Sequence, residues 1–368
     1  MKGRMFVVNS DTLQSTLSTN IASIKTPDLQ GEQWLKTLAD IMADMLQIEV
    51  GDYIFLWETS TTNTKSRIHG VYRAKSKPYY LCTSPQDDAP FKINIEKAYD
   101  FEQPIDEYDV LNCPYIKSNM WTIIGKKVAG KSRGTSPLSE EEIKNLISLL
   151  IGKNPNYRYF SWDPTNVVSV THPLVINYSN IGENLKPQSL SSFHPNNLNY
   201  FNSNGNVHYE KIIETLFNQE MSQRNHNFFS QIGINPDKVI WYSNYLPYSI
   251  EQSEMDYVII ESDDNFSYNR IFVIEFQAQQ IDEDHIHRCL MYSKWINETL
   301  ALGVSMVQPI LITPKSYDFI NGETHTTKKR CMERLENSAL KYEGDYSVKP
   351  LQVYEYSFVP TPTFVRKR

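Results

Sequence analysis

The chain has 368 residues, is 40% hydrophobic and 21% charged, and carries a formal net charge of −7. That length fits two domains of ordinary size, and the composition is that of a globular protein. No apolar run approaches the roughly 18–20 residues of a membrane span, and the start MKGRMFVV lacks a signal-peptide apolar region, so a cytoplasmic protein with no membrane partner is expected.

The acidic balance argues against a coat of positive charge. It does not exclude nucleic acid, because acids can gather in a catalytic centre and bases in a groove. The four cysteines, Cys82, Cys113, Cys289 and Cys331, are scattered without zinc spacing, which fits a reducing compartment.

Met5–Ser10 (MFVVNS) predicts a first strand. Over Glu32–Gln47, apolar residues recur at Trp34/Leu35, Leu38, Ile41/Met42 and Met45/Leu46, the period of an amphipathic helix with a core-facing side. Gly51-Asp52 then turns into YIFLWE, and the polar run Thr59–Ser66 leads to IHGVYRA, a hairpin. The stretch Lys117–Arg133 holds Lys117, Lys126, Lys127, Lys131 and Arg133, no acid, and two glycines. Such a segment can contact phosphates without reading sequence; an ordinary solvated loop has the same composition. Ser139–Leu150 predicts a second helix, with Glu140–Glu142 in its first turn.

In this order, the pieces resemble the EVE domain of the PUA-like group, whose relatives include YTH domains. The likeness rests on FVVNSDTL, on EVGDYIFLWE followed by RIHGVYRA, and on the Lys/Gly/Arg-rich segment before SEEEIKNLISLL. The long helix Glu32–Gln47 departs from the shorter EVE domains. The resemblance implies an α+β, PUA-like β-barrel with flanking helices over residues 1–155, holding a modified, flipped-out base. A base removed from its stack needs new π-partners and hydrogen bonds to its edge. The candidates are Trp57 and Trp121 as stacking walls, with Asn9 and Ser10 as edge readers; a Trp in a strand is equally a core residue. Tyr72 and Tyr79 read as packing residues.

Residues 156–205 are rich in Asn, Pro and Ser and predict a linker. Its first section, with Tyr157, Tyr159, Phe160 and Trp162 close together, is expected to pack on a domain.

Beyond it, His208–Met221 predicts a helix, Asp237–Tyr242 a strand, Met255–Ile260 a second, Glu261–Asn269 a polar turn and Ile271–Phe276 a third strand. A helix over Asp284–Leu302 and a strand over Gln308–Thr313 follow. Asp256 sits in one apolar strand and Glu275-Phe276-Gln277 ends the next. Residues two apart on a strand share a face, so Glu275 and Gln277 emerge together, and hard oxygen ligands suit Mg²⁺. Glu210 and Glu214 lie one helical turn apart on the first helix, where a buried acid is costly unless paired or metal-bound. His285 and His287, two apart on a helix, face differently and make a poor ligand pair. Arg288 shares a face with Tyr292 and can contact phosphate or pair with Asp284. There is no G-x-x-x-x-G-K-[ST] loop, so no ATPase motor is expected.

The Asp256 … Glu275-x-Gln277 arrangement resembles the PD-(D/E)XK nuclease superfamily, with Gln where most members have Lys. YEKIIETLF resembles the first helix of Mrr-like members, matching Glu210. Arg288-x-x-x-Tyr292 stands where many members have Q-x-x-x-Y. The resemblance implies an α/β PD-(D/E)XK core over residues 206–368. Asp256, Glu275 and the Phe276 carbonyl would bind Mg²⁺ (or Mn²⁺), and Gln277 would orient water. Uncharged Gln cannot act as a general base.

Together the halves suggest a modification-dependent restriction endonuclease acting on double-stranded DNA with a modified base, a modified cytosine among the candidates. A double-strand break needs two such sites, so a homodimer is expected. A conventional sequence-specific type II endonuclease and a non-catalytic binder of modified DNA or RNA remain open readings.

Overall fold

A computed structural model describes residues 2–26, 34–60, 65–83, 87–113, 134–178, 195–197, 199–202, 204–248, 253–262, 268–301, 306–314, 328–346 and 348–368. The chain separates into two compact units, Met1–Val175 with Lys186–Asn196, and Ile176–Leu185 with Asn197–Arg368. No helix among the described residues is long and apolar enough to cross a membrane.

The first unit is built on one curled sheet. Its strands are β1 (Gly3–Val8), β2 (Ile21–Ile24), β3 (Tyr53–Glu58), β4 (Arg67–Ala74), β5 (Tyr79–Tyr80), β6 (Phe91–Asp100), β7 (Ile105–Asp106), β8 (Thr135–Leu138) and β9 (Arg158–Tyr159). They run in the order β2-β6-β4-β3-β1-β8, with β5, β7 and β9 alongside β6 or β4. β1 and β3 are parallel; β3 and β4 are the antiparallel hairpin that the sequence predicts. The sheet's two ends approach at Gly134, before β8, where a Cβ would lie 2.8 Å from Cγ2 of Ile24 in β2.

Among the described residues, four helices accompany this sheet: α1 (Ser10–Thr19), α2 (Trp34–Leu46), α3 (Glu107–Asn112) and α4 (Glu140–Lys153). The first strand is expected to run to Ser10, but it stops at Val8 because Asn9 caps α1, its side chain accepting from the Thr12 N–H at 2.8 Å. β1 is buried on both faces. Met5 lies in a core with Tyr53, Phe55, Trp57, Ile143, Leu146 and Leu150, so that face meets α4. Its neighbour Arg4 bonds instead to Asp44 and Gln47 near the end of α2, and to Thr135 at 3.0 Å; successive strand residues point to opposite faces. α4 starts with a capping box between Ser139 and Glu142.

The segment expected as a linker contributes to both units. Tyr159 in β9 pairs with Tyr99 of β6, their rings 5.0 Å apart. Ile176 and Tyr178 bond to Gln219 and Glu220 in the second unit.

The second unit has a six-stranded sheet, β10 (Val239–Tyr248), β11 (Ser253–Ser262), β12 (Tyr268–Phe276), β13 (Met306–Thr313), β14 (Gln352–Ser357) and β15 (Thr363–Arg366), paired in sequence order. The pairs β12–β13 and β13–β14 are parallel and the rest antiparallel. Its helices are α5 (Glu210–Ser222), α6 (His226–Phe229), α7 (Glu283–Ile296, continued by a π-turn over Asn297–Ala301) and α8 (Lys328–Tyr346).

α5 covers one face of this sheet, with Phe217 4.7 Å from Phe276 and 5.6 Å from Tyr257 between ring centroids. α7 and α8 cover the other, where Ile286, Cys289 and Leu290 pack with Leu311, Leu335, Ala339 and Val353. Phe276 and Tyr257 look toward α5, so their strand neighbours Glu275 and Asp256 look toward α7. The polar turn is expected to begin at Glu261, but Glu261 stays in β11, is 2% exposed and pairs with Arg270 at 2.6 Å.

Candidate functional site

The second unit gathers acids near the start of β11 and the end of β12. β11 and β12 pair antiparallel through Tyr257 and Ile274, and one step on stand Asp256 and Glu275. The Asp256 N–H donates to Glu275 Oε1 at 3.2 Å, and the Phe276 N–H donates to Asp256 Oδ2 at 2.9 Å. Arg288, one turn into α7, donates from Nε to Glu275 Oε2 at 3.2 Å. Arg288 therefore pairs with Glu275 on the sheet face that α7 covers, not with Asp284 one turn back on its own helix. Glu210 opens α5 and accepts a hydrogen bond from the backbone of Ala278, just past β12.

The charges of Arg288 and Lys211 offset these carboxylates only in part. Burial first, then the charge of Asp256, pushes the Glu275 carboxyl well above the ordinary range, with Arg288 opposing. Burial raises Asp256 as well, against the nearby Lys211 charge. Burial and Asp256 raise Glu210. Crowded, desolvated acids of this kind cluster at functional sites. Gln277 is 4% exposed and its Nε2 has no hydrogen-bond partner. A buried polar atom left without a partner costs about 1–3 kcal/mol, a cost that a bound ligand or water would remove.

The donor set is chemically suited to a hard divalent cation. As the side chains stand, however, no group of three or more His, Cys, Asp or Glu among the described residues is arranged to hold one. Both oxygens of Glu275 already accept, one of them from a cation. Glu214, the alternative to Glu210, is fully buried and committed elsewhere, paired with Lys211 and accepting from Asn244 Nδ2 at 3.1 Å. Lys211 had no reading from sequence; its signal was its place beside Glu210. His285 closes the capping box of α7 with Asp282, while the His287 ring lies 4.5 Å from that of Tyr342, so the two histidines serve different partners.

In the first unit the expected base-reading residues divide. Trp57 is 4% exposed and sits in the core facing α4 with Tyr53 and Phe55. A side chain enclosed on that face is a packing residue as it stands. Tyr72 and Tyr79 are buried too, and burial pushes the Tyr72 hydroxyl up to about 12. Asn9 uses its side-chain oxygen to cap α1. Ser10 is exposed and donates to Glu58 Oε1 at 2.9 Å; Glu58 Oε2 lies 2.8 Å from His69 Nε2. Burial would raise Glu58, but the hydrogen bonds from His69 and Ser10 outweigh it and hold the carboxyl below its usual value. Glu58 and His69 were not singled out in the sequence. The available signal was an acid ending an apolar strand, the same signature that marks Glu275. Trp121, Lys117, Lys126, Lys127, Lys131 and Arg133 lie outside the described residues.

No protein-family model and no curated protein matches the chain. Among solved structures it is similar to protein Atu2648 from Agrobacterium tumefaciens, at 15% identity over 44% of this chain and 100% of that one, with a TM-score of 0.29. It is also similar to human THYN1 protein in complex with 5-methylcytosine containing DNA, at 10% identity over 40% of this chain and 97% of that one, TM-score 0.28. A third is the YTH domain of Zygosaccharomyces rouxii MRB1 protein in complex with N6-methyladenosine RNA, at 14% identity over 40% of this chain and 86% of that one, TM-score 0.26. Each likeness leaves more than half of this chain uncovered.

Proposed function

We propose that the chain is a modification-dependent endodeoxyribonuclease: its first unit reads a modified base, and its second hydrolyses phosphodiester bonds with Mg²⁺ or Mn²⁺. The observation that carries the nuclease reading is the convergence of Asp256, Glu275 and Glu210, all with raised carboxyl pKa values, next to the buried and unpartnered Gln277 amide. Asp256, Glu275 and the Phe276 carbonyl would hold the cation. When bound, it would supply a nucleophile at neutral pH and offset charge on the phosphate. Gln277 would orient the attacking water, and Arg288 would contact a non-bridging phosphate oxygen. A double-strand cut requires two copies of the site, hence a homodimer on DNA.

For the reader, Ser10, Glu58 and His69 form a polar edge at the ends of β1, β3 and β4. An ionised carboxylate accepts from the exocyclic amine of cytosine or adenine and repels keto groups, so this edge favours an amino-bearing base. The test uses Mg²⁺ and matched plasmids bearing plain, 5-methyl or 5-hydroxymethyl cytosine. Cleavage of a modified plasmid alone is expected, together with its loss in Glu275→Gln. Equal cutting of all three plasmids removes the modification dependence. A second reading, a binder of modified nucleic acid that does not cut, draws on uncharged Gln277 and on Arg288 covering Glu275. Tight binding with no cleavage in Mg²⁺ or Mn²⁺ would establish it.

A further inference from the structure

We propose that Arg288 is a positioning residue that withholds Glu275 from the metal until a DNA phosphate draws the guanidinium away. This rests on the nuclease reading above and concerns how that site is controlled.

Glu275 is 1% exposed, and both its oxygens are engaged, Oε1 by the Asp256 N–H and Oε2 by Arg288 Nε, each at 3.2 Å. A cation approaching Oε2 therefore meets a group of its own charge. Repulsion between like charges a few ångströms apart in a partly buried site is strong.

The Arg288 side chain is 42% exposed, and among the described residues Nε is its one committed donor. Both Nη groups remain available. A guanidinium fork matches a phosphate bidentately, and phosphate is a better-shaped partner than the single Nε–H contact to Glu275. Engagement of a phosphate would uncover Oε2 beside Asp256. DNA and the divalent cation would then bind cooperatively, each raising affinity for the other by the same factor. In the absence of DNA, the site would stay poorly loaded and cutting would be suppressed.

The test measures Mn²⁺ binding to the full chain by electron paramagnetic resonance, without DNA and with a duplex containing 5-methylcytosine. Without DNA, Arg288→Gln is expected to bind Mn²⁺ about tenfold more tightly than wild type. Arg288→Lys, which keeps the charge, should stay as weak as wild type. Added duplex should tighten Mn²⁺ binding in wild type more than in Arg288→Gln. Glu275→Gln should bind poorly in either condition. If Arg288→Gln and wild type agree within about twofold while Glu275→Gln loses binding, the metal site stands and the control by Arg288 is overturned. If neither wild type nor Arg288→Gln binds Mn²⁺ in either condition, the metal-dependent reading falls and this proposal with it.

Discussion

Asp256 and Glu275 hold one another across β11 and β12: the backbone N–H of Asp256 donates to Glu275 Oε1 at 3.2 Å, while Asp256 Oδ2 accepts from the N–H of Phe276, the residue after Glu275, at 2.9 Å. Each acid is fixed by the strand that carries the other. Neither can turn away without breaking a backbone hydrogen bond, so the pair is preorganised.

Asp256→Asn and Glu275→Gln preserve size and at least one acceptor oxygen while removing charge. Both are expected to keep the fold and to lower single-turnover nicking of modified plasmid on the order of 10³-fold at saturating Mg²⁺. Rates within about tenfold of wild type would show that these acids do not carry the reaction.

The raised carboxyl values also set a stability profile. Glu275, Asp256 and Glu210 bind protons more tightly in the folded chain than the ordinary values of 4.5 and 3.8. The folded state therefore holds more protons than the unfolded one above those values, and stability falls as pH rises through the folded values. In metal-free buffer, wild type should lose more melting temperature between about pH 5 and about pH 8 than Glu275→Gln does. Differential scanning calorimetry reads this directly. A Glu275→Gln profile parallel to wild type would mean that Glu275 is not the strained group.

Trp57 separates packing from recognition. It is 4% exposed in the core between the sheet and α4, so Trp57→Ala should cost about 3–5 kcal/mol in urea unfolding, and Trp57→Phe less. A stacking wall open to a base would instead show weakened binding of modified DNA with stability changed by less than about 1 kcal/mol.

Glu58 makes the opposite prediction. It is partly exposed and bridges Ser10 and His69, so Glu58→Gln should leave stability nearly intact while weakening binding of a modified duplex by about 1–3 kcal/mol. Fluorescence anisotropy supplies the binding measure, and Mn²⁺ binding in the second unit supplies the control. Unchanged DNA affinity would place the reading edge elsewhere.

Much of this was legible in the sequence because it depends on the chain's own periods. Alternation and apolar runs located β3, β4, β11, β12 and β13, and with them Asp256 within β11, Glu275 near the end of β12 and Gln277 just past it. The Ser139–Glu142 capping box started α4 where the pattern indicates. Asn9 was a missed local signal: an N-cap residue followed by Leu13 and Leu17 at helical spacing ends β1 early. The tertiary structure alone decided partners. Arg288 could pair along its helix with Asp284 or across to Glu275, and only sheet packing brings Glu275 within 3.2 Å. Trp57 could face a ligand or the core, and α4, more than eighty residues later in the chain, encloses it. Ser10, Glu58 and His69 became neighbours only through the pairing of β1, β3 and β4. Local periodicity fixes which way a side chain points; what it meets there depends on segments distant in sequence, whose approach is set by burial of the whole core.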